Sequence, residues 1–436
     1  MRNLNQSPVH VLTIVATFAR TWTASLQVLL ASMLAVGTIQ SVRAESPVRA
    51  GDHIAIIGNT FADQLRIHGY LETMLLQHWQ DKPVSIRNLG WGGDMLTARD
   101  RPTGFPTEES TLREHQTDVI IACFGMGESF AGEAGLDAFK SDVLSVLKAY
   151  SGKTFNGKSE VRLILVSPIA NEDLQTLTPM HEQRNRELAM YSRAMSEAAT
   201  ATGVPLVDLY ESSRYWMDEP IGPNFTTNGI HLNAFGYWAV SHLMFRNLVV
   251  DHQKDVRQPW QMRIDAMTTA TSARGVEVTD VVHDNSSLTF VIKELTPPSA
   301  PPPTVEILPP QLMHERDTLT VANLEPGSYT LIVDGTTVVS ARHDEWANGV
   351  AVDASPAHLE TELLRKAVND KNLQFTYGWK ALNQVHIVGE RKSSPSGKAL
   401  PAEVIEFKNI SSQRDRQLSG LIQSKTRKWR LDRDGT

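Results

Sequence analysis

His53-Ile-Ala-Ile-Ile57, followed by Gly58-Asn59-Thr60, is the stretch on which the fold turns. A short run of branched apolar residues that stops at a glycine reads as a buried strand. The next residues, Phe61 to Trp79, place Leu65, Leu71, Leu75 and Trp79 at helical spacing. Strand, tight turn and helix make the first half of a βαβ unit. The alternation continues outward. Val84–Asn88, Asp118–Phe124, Val161–Val166 and Val204–Asp208 read as further strands, and Leu136–Tyr150, Pro179–Thr202 and Asn233–Val250 as helices. Strands with helices between them predict an α/β domain over 45–255. Its expected form is a three-layer, flavodoxin-like sandwich around a five-stranded parallel sheet.

The pattern changes near residue 256. Val276–Val282, Leu288–Ile292, Thr318–Val321, Gly327–Val333 and Thr337–Val339 read as short strands, with Asp334-Gly335 as a hairpin turn. Pro297, Pro298, Pro301, Pro302 and Pro303 predict an extended loop or stiff spacer, and Leu359–Gln374 a helix. A small β-rich module with a helix is therefore expected over 256–410. Residues 411–436 read as a basic polar tail, frayed and solvated. No internal repeat is present.

Composition excludes several classes. Of 436 residues, 41% are hydrophobic and 21% charged, which rules out a fully disordered or fibrous chain. The net charge of −7 argues against a broad grip on nucleic acid. The single cysteine, Cys123, cannot form an internal disulfide and reads as a packed core thiol. No H-E-x-x-H pattern and no acid spacing suggests a metal site. Gly125-Met-Gly127 begins a dinucleotide-type pattern but ends on Phe130. Gly152-Lys153-Thr154 lacks both the first glycine and the preceding strand of a P-loop. No cofactor is expected.

In an open parallel sheet, ligands bind beyond the carboxyl ends of the strands. Four segments fall there: Gly58-Asn59-Thr60, Gly90-Trp91-Gly92-Gly93-Asp94, Gly125-Met126-Gly127-Glu128-Ser129 and Thr226-Thr227-Asn228-Gly229-Ile230-His231. A hydroxyl at a strand-to-helix turn is either a nucleophile or an N-cap. Gly92-Gly93 either brings a backbone N–H to a substrate or only tightens a turn. His231 is either a base or structural, and Glu128 either an acid near it or a helix-start carboxylate.

The order and spacing of these blocks over 53–250 resemble the SGNH, or GDSL-like, hydrolases. The chain looks most like a planctomycete-type branch of secreted proteins carrying Gly-Asn-Thr and Asn-Gly-Ile-His blocks. Asn228-Gly-Ile-His-Leu-Asn-Ala-Phe-Gly-Tyr237 and Ser129-Phe-Ala-Gly-Glu-Ala-Gly135 carry that likeness. The resemblance implies the family fold and an ester hydrolase. Thr60 would be the nucleophile, His231 its base and Asn228 the residue orienting that base. Gly93 and Gly127 would stand at the oxyanion positions. Each departs from the family pattern except Gly93 and His231. Thr replaces Ser at 60, Gly replaces Asn at 127, and Asn replaces Asp at 228. Together these imply a weakened site. The substrate implied is an acylated carbohydrate or another small ester. The alternative is a binding module that has lost turnover and holds a glycan or protein partner, with Trp91, Phe130 and Tyr237 as stacking residues.

The first 44 residues carry Arg2, Arg20 and Arg43, no acid, and an apolar run from Leu26 to Ile39 before Val42-Arg43-Ala44. This reads as an export signal cleaved after Ala44, with a periplasmic or extracellular product and no membrane segment left after cleavage. N-terminal sequencing of protein from the native host should start near Glu45. Intact Met1 in the soluble cytoplasmic fraction would refute the reading.

Overall fold

The computed structural model describes residues 46–101, 105–249, 259–284, 286–303, 307–380 and 393–435. All of them fall in one compact unit, Ser46–Thr436. The expected export signal lies outside the described residues.

The strand read from His53 is β1, His53–Gly58. Its alternate side chains serve two cores, as period-2 geometry requires. Ile54 and Ile56 belong to one buried cluster, Ala55 and Ile57 to the other. The remaining strands of this sheet are β2 Ser85–Asn88, β3 Val119–Cys123, β4 Arg162–Val166 and β5 Leu206–Val207. Their order is β2-β1-β3-β4-β5, every pair parallel. The expected five-stranded parallel sheet is present, and the order reverses between β1 and β3, which is where such sheets bind ligands.

The helix read over Phe61–Trp79 is two helices, α1 Thr60–His68 and α2 Tyr70–His78. Gly69 breaks it with φ +68, and a Cβ there would stand 2.2 Å from the Asn369 Oδ1. The break lets a distant helix pack against the joint. A short helix not expected from the sequence, α3 Glu108–Glu114, precedes β3. Then come α4 Leu136–Tyr150, matching its expected bounds, and α5 His181–Thr202. α6 Tyr210–Met217, also unexpected, and α7 Ala234–Leu248 complete the domain. Buried residues of α1, α2 and α7 cover one face of the sheet, and those of α4 and α5 the other.

The C-terminal part is β-rich, as expected. It contains β6 Gln261–Asp265, β7 Thr271–Arg274, β8 Val276–His283, β9 Ser287–Glu294, β10 Thr318–Ala322, β11 Ser328–Val333 and β12 Thr336–Arg342. A short helix α8 His343–Asn348, β13 Val350–Ala351, two long helices α9 Pro356–Trp379 and α10 Pro395–Leu418, and β14 Thr426–Arg433 follow. The strands form two sheets, β13-β10-β6-β7 and β12-β11-β14-β9-β8, around Trp260, Phe290, Trp346 and Trp429. Asp334 and Gly335 both have positive φ in the two-residue turn joining β11 to β12, as the Asp-Gly pair requires.

Two expectations are corrected. The residues read as a frayed tail continue α10 and then form β14, paired on both sides with β9 and β11. Trp429 and Leu431, with Arg427, bury one face of this strand while Lys428 and Arg430 point outward, a period that the local excess of charge obscures. The proline-rich stretch is extended but does not stand clear of the fold. Pro297 to Ala300 are buried, and the Trp238 indole donates to the Ala300 carbonyl at 3.0 Å. Among the described residues, no helix is long and apolar enough to cross a membrane.

α9 and α10 pack on each other, and α9 packs back on α1 and α2. Their joint with the sheet is electrostatic as well as apolar. The fully buried Lys371 Nζ lies 2.6 Å from Glu72 and donates to the Ile86 carbonyl at 2.9 Å. Burial pushes the Glu72 carboxyl up, and the lysine opposes that shift.

His68 closes α1, stacked on Tyr237 at 4.4 Å. Burial first, and Arg365 second, lower it from 6.5 to about 4. Its native state therefore favours the neutral ring, while the unfolded chain takes up a proton below 6.5. Stability contributed by neutral His68 is present above pH 6.5 and is lost as pH falls from about 6.5 toward about 4. Denaturant midpoints measured across that window should fall for the parent, and fall less steeply for His68→Gln. Equal slopes for the two proteins would contradict the assignment.

Candidate active site

Each of the four segments is fixed by a local constraint. β1 ends at Gly58 with φ +140, and a Cβ there would stand 2.2 Å from the Cys123 carbonyl oxygen. Only glycine allows that approach. The cap of α1 is Asn59, whose side chain accepts from the Phe61 N–H at 3.0 Å. Thr60 is thus the first helical residue and not the N-cap. Its hydroxyl makes no hydrogen bond among the described residues.

The second segment is bound to α1. Asn88 donates to the Ala62 carbonyl at 2.6 Å and accepts from Gly90 at 2.9 Å, while the Trp91 N–H donates to the Gly58 carbonyl at 2.9 Å. Gly90 stands so close that a Cβ would meet the Asp63 amide nitrogen at 2.5 Å. Gly93 turns outward with φ +89 and open space around it. The backbone N–H groups of Thr60 and Gly93 have no hydrogen-bond partner among the described residues.

In the third segment, the Glu128 carboxylate accepts from Gly125 at 2.8 Å and from Leu96 at 2.7 Å. It ties the second and third segments together and has no contact with His231, so the reading of Glu128 as an acid beside that ring is not supported. Gly127 has ordinary helical φ and ψ. A Cβ there would lie 3.1 Å from Met95 Cγ and 3.4 Å from its Sδ. The thioether lies beside the position where the resemblance expects a side-chain amide.

The fourth segment rests on a residue that the sequence reading did not single out. The buried carboxylate of Glu172, just beyond β4, accepts from the Phe225 N–H at 2.8 Å, the Thr226 N–H at 2.7 Å and the Thr226 hydroxyl. That hydroxyl accepts in turn from the Gly229 N–H at 2.9 Å. Burial raises the Glu172 carboxyl, and these donors oppose the shift. Flanked by Asn171 and Asp173, Glu172 reads in the sequence as one polar loop residue among others, so no local signal marked it.

Asn228 faces His231 directly. Its Oδ1 accepts from the backbone N–H groups of His231 at 3.0 Å and Ile230 at 3.3 Å. Two donors on that atom fix the amide's orientation, so its NH2 donates to His231 Nδ1 at 2.9 Å. Nδ1 is therefore the acceptor, and the neutral ring carries its proton on Nε2. An aspartate at 228 would impose the opposite tautomer.

Thr60, Gly93, Gly127 and His231 line one cleft of about 210 Å³, and Asn228 stands behind His231. All five expected residues thus come together. The Thr60 hydroxyl and the His231 ring make no direct hydrogen bond. The walls are mostly apolar, from Phe61, Met95, Phe124, Met126, Phe130, Pro168, Ile169 and Ile230. Cys123 and Ser167 also reach it. Burial pushes the Cys123 thiol up, leaving it protonated, and the Ser167 hydroxyl is engaged by Asp208 at 3.0 Å. Of the expected stacking residues only Phe130 is available, 61% exposed with the Arg184 guanidinium 3.7 Å from its ring centre. Tyr237 is buried with its hydroxyl on the Phe61 carbonyl, and Trp91 packs against Phe105 and Trp379 outside the cleft. Among the described residues, no group of three or more His, Cys, Asp or Glu could hold a metal ion.

Asn228→Asp keeps the acceptor for both backbone donors and adds one for Nδ1–H, which frees Nε2 to take a proton. Ester turnover should rise by at least about tenfold, part of the roughly 10⁴ that tautomer control is worth in serine proteases. Steady-state kinetics on the parent and variant check this; an unchanged rate in a folded variant would remove His231 from the chemistry.

Residues 50–239 match the sequence model of the GDSL-like Lipase/Acylhydrolase family. No curated protein matches the chain. Among solved structures, a gut microbial diltiazem-metabolizing enzyme is 15% identical, with 90% of this chain and 99% of that chain covered and a TM-score of 0.61. It shares the fold of the sheet domain and of most of the C-terminal part. An acetyl-xylooligosaccharide esterase from Geobacillus stearothermophilus is 16% identical, covers 48% of this chain and 99% of its own, and has a TM-score of 0.37. A hydrolase from the metagenome of Lake Arreo, Spain, is 14% identical with 47% and 100% covered and a TM-score of 0.35. The segment that builds the cleft, residues 50–239, is therefore similar to the GDSL-like Lipase/Acylhydrolase family.

Proposed function

We propose that this chain hydrolyses small esters through Thr60, at a rate limited by its own departures from the family pattern. The observation that carries the reading is the Thr60 hydroxyl. Among the described residues it has no partner at the start of α1, because Asn59 does the capping, and it shares a cleft with the Gly93 N–H and with His231. Thr60 Oγ1 attacks the acyl carbon and gives its proton to Nε2 of His231, in the minor fraction of rings whose own proton sits on Nδ1. The backbone N–H groups of Thr60 and Gly93 receive the developing oxyanion. The alcohol leaves with the proton from His231, and water then releases the acid and restores Thr60.

Three features slow this sequence. The threonine methyl crowds the attack and stiffens χ1. Gly127 offers no side-chain donor, and loss of one such donor costs roughly 10²–10³ in turnover in subtilisin. Asn228 stabilises the tautomer that cannot accept the proton.

The substrate class follows from the walls. A short apolar acyl group suits the methionine and phenylalanine side chains, while the alcohol, a sugar or another small alcohol, leaves past exposed Phe130. Asp94, the acid on the wall, is held by Arg101 through two bonds of 2.9 and 2.7 Å, so the cleft offers no free charge to an ionic substrate. The proposal extends to export after Ala44, as in the secreted branch that the Gly-Asn-Thr and Asn-Gly-Ile-His blocks resemble.

Purified protein should release acid from acetyl and butyryl esters of a chromogenic alcohol, slowly but above background. Thr60→Ala and His231→Ala should each remove that activity. A rate that survives Thr60→Ala would overturn the assignment. Background turnover in the folded parent, with ligand still bound in the cleft, would make the chain a binding module.

A further inference from the structure

We propose that Lys380, at the end of α9, is a positioning residue for the Gly92-Gly93 loop, and that the C-terminal helices thereby hold the candidate site in shape. The role in turnover rests on the esterase reading; the mechanical role does not.

Trp91 controls both ends of the glycine pair. Its N–H donates to the Gly58 carbonyl at 2.9 Å, and its own carbonyl accepts from the Asp94 N–H at 3.0 Å. Whatever fixes Trp91 therefore fixes where the Gly93 N–H points. The indole is flanked by two cations. The Arg101 guanidinium carbon lies 4.6 Å from its ring centre and Lys380 Nζ lies 4.7 Å from it. Trp379 meets the same ring edge-on at 5.4 Å.

Two like charges around one ring repel each other, and each is balanced by a buried aspartate. Arg101 forks onto Asp94, immediately after Gly93. Lys380 lies 2.6 Å from Asp63, one turn along α1 from Thr60. Asp63 also binds Arg66 at 2.8 Å, but that pair lies within a single helix and cannot hold the loop. Lys380 comes from 317 residues away and touches both the helix that carries Thr60 and the ring that anchors Gly92-Gly93. Burial lowers the lysine, Asp63 opposes that shift, and the nearby Arg66 and Arg101 reinforce it. The ammonium is therefore kept in place by its carboxylate and its aromatic face together.

The test compares full-length parent, Lys380→Met and Lys380→Arg. Methionine keeps the apolar stem and removes the charge. Hydrogen exchange over residues 90–96 should quicken by about tenfold in Lys380→Met, with exchange in β4 and α5 unchanged. On a short-chain ester, kcat should fall by about tenfold with KM within about twofold, because the loop acts on the transition state. Lys380→Arg should restore both. Parent-like exchange over 90–96 would overturn the proposal. So would faster exchange spread evenly through the protein, which marks general destabilisation. If the parent hydrolyses no ester, the esterase reading falls and the exchange comparison still decides the clamp.

Discussion

The carboxyl edge of the sheet depends on one close approach, that of Gly58 to the Cys123 carbonyl. A side chain at 58 would strike that oxygen, so glycine alone brings the end of β1 onto the end of β3. The Asn59 N–H then bonds the same carbonyl at 3.3 Å, and the Gly58 carbonyl takes the Trp91 N–H. Three of the four segments are referenced to this contact. The fourth is held from β4 by Glu172. The cleft is therefore assembled from backbone contacts, and the side chains lining it could change without moving its frame.

That separation lets the frame stand whichever side chains line it. Gly127 keeps its helical turn, and Met95 fills space beside it. Asn228 keeps the backbone bonds to Ile230 and His231 while reversing the polarity presented to Nδ1. The backbone frame of the cleft remains, and no carboxylate faces His231 Nδ1 among the described residues. No fold-level property registers the exchange of one carboxylate oxygen for an NH2 group.

Much of this was legible in the chain. Apolar runs bounded by glycine mark β1 and β3 because buried parallel strands need little else. The convergence of Thr60, Gly93, Gly127 and His231 follows from their places after strand ends. Other features were not legible because their causes are distant in sequence. Gly69 reads as one tolerable residue in a helix until Asn369 is placed against it. Glu172 matters through donors more than fifty residues on. β14 carries five charged residues among eight, Arg427 on its buried face, and that face appears only once β9 and β11 flank it. Thr60 reads as either cap or nucleophile because the sequence does not say which of two adjacent polar residues takes the α1 amide.

The position of β14 also orders events in the life of the chain. β14 is an interior strand of its sheet, between two strands made well before it. While a ribosome is still adding residues 426–433, β9 and β11 have no common neighbour, and the cavity for Trp429 stands open. The parallel sheet can close from its own residues early in synthesis, whereas the C-terminal module must wait for residues 426–433. A chain cut before residue 426 therefore presents two unpaired strand edges beside the parallel-sheet domain.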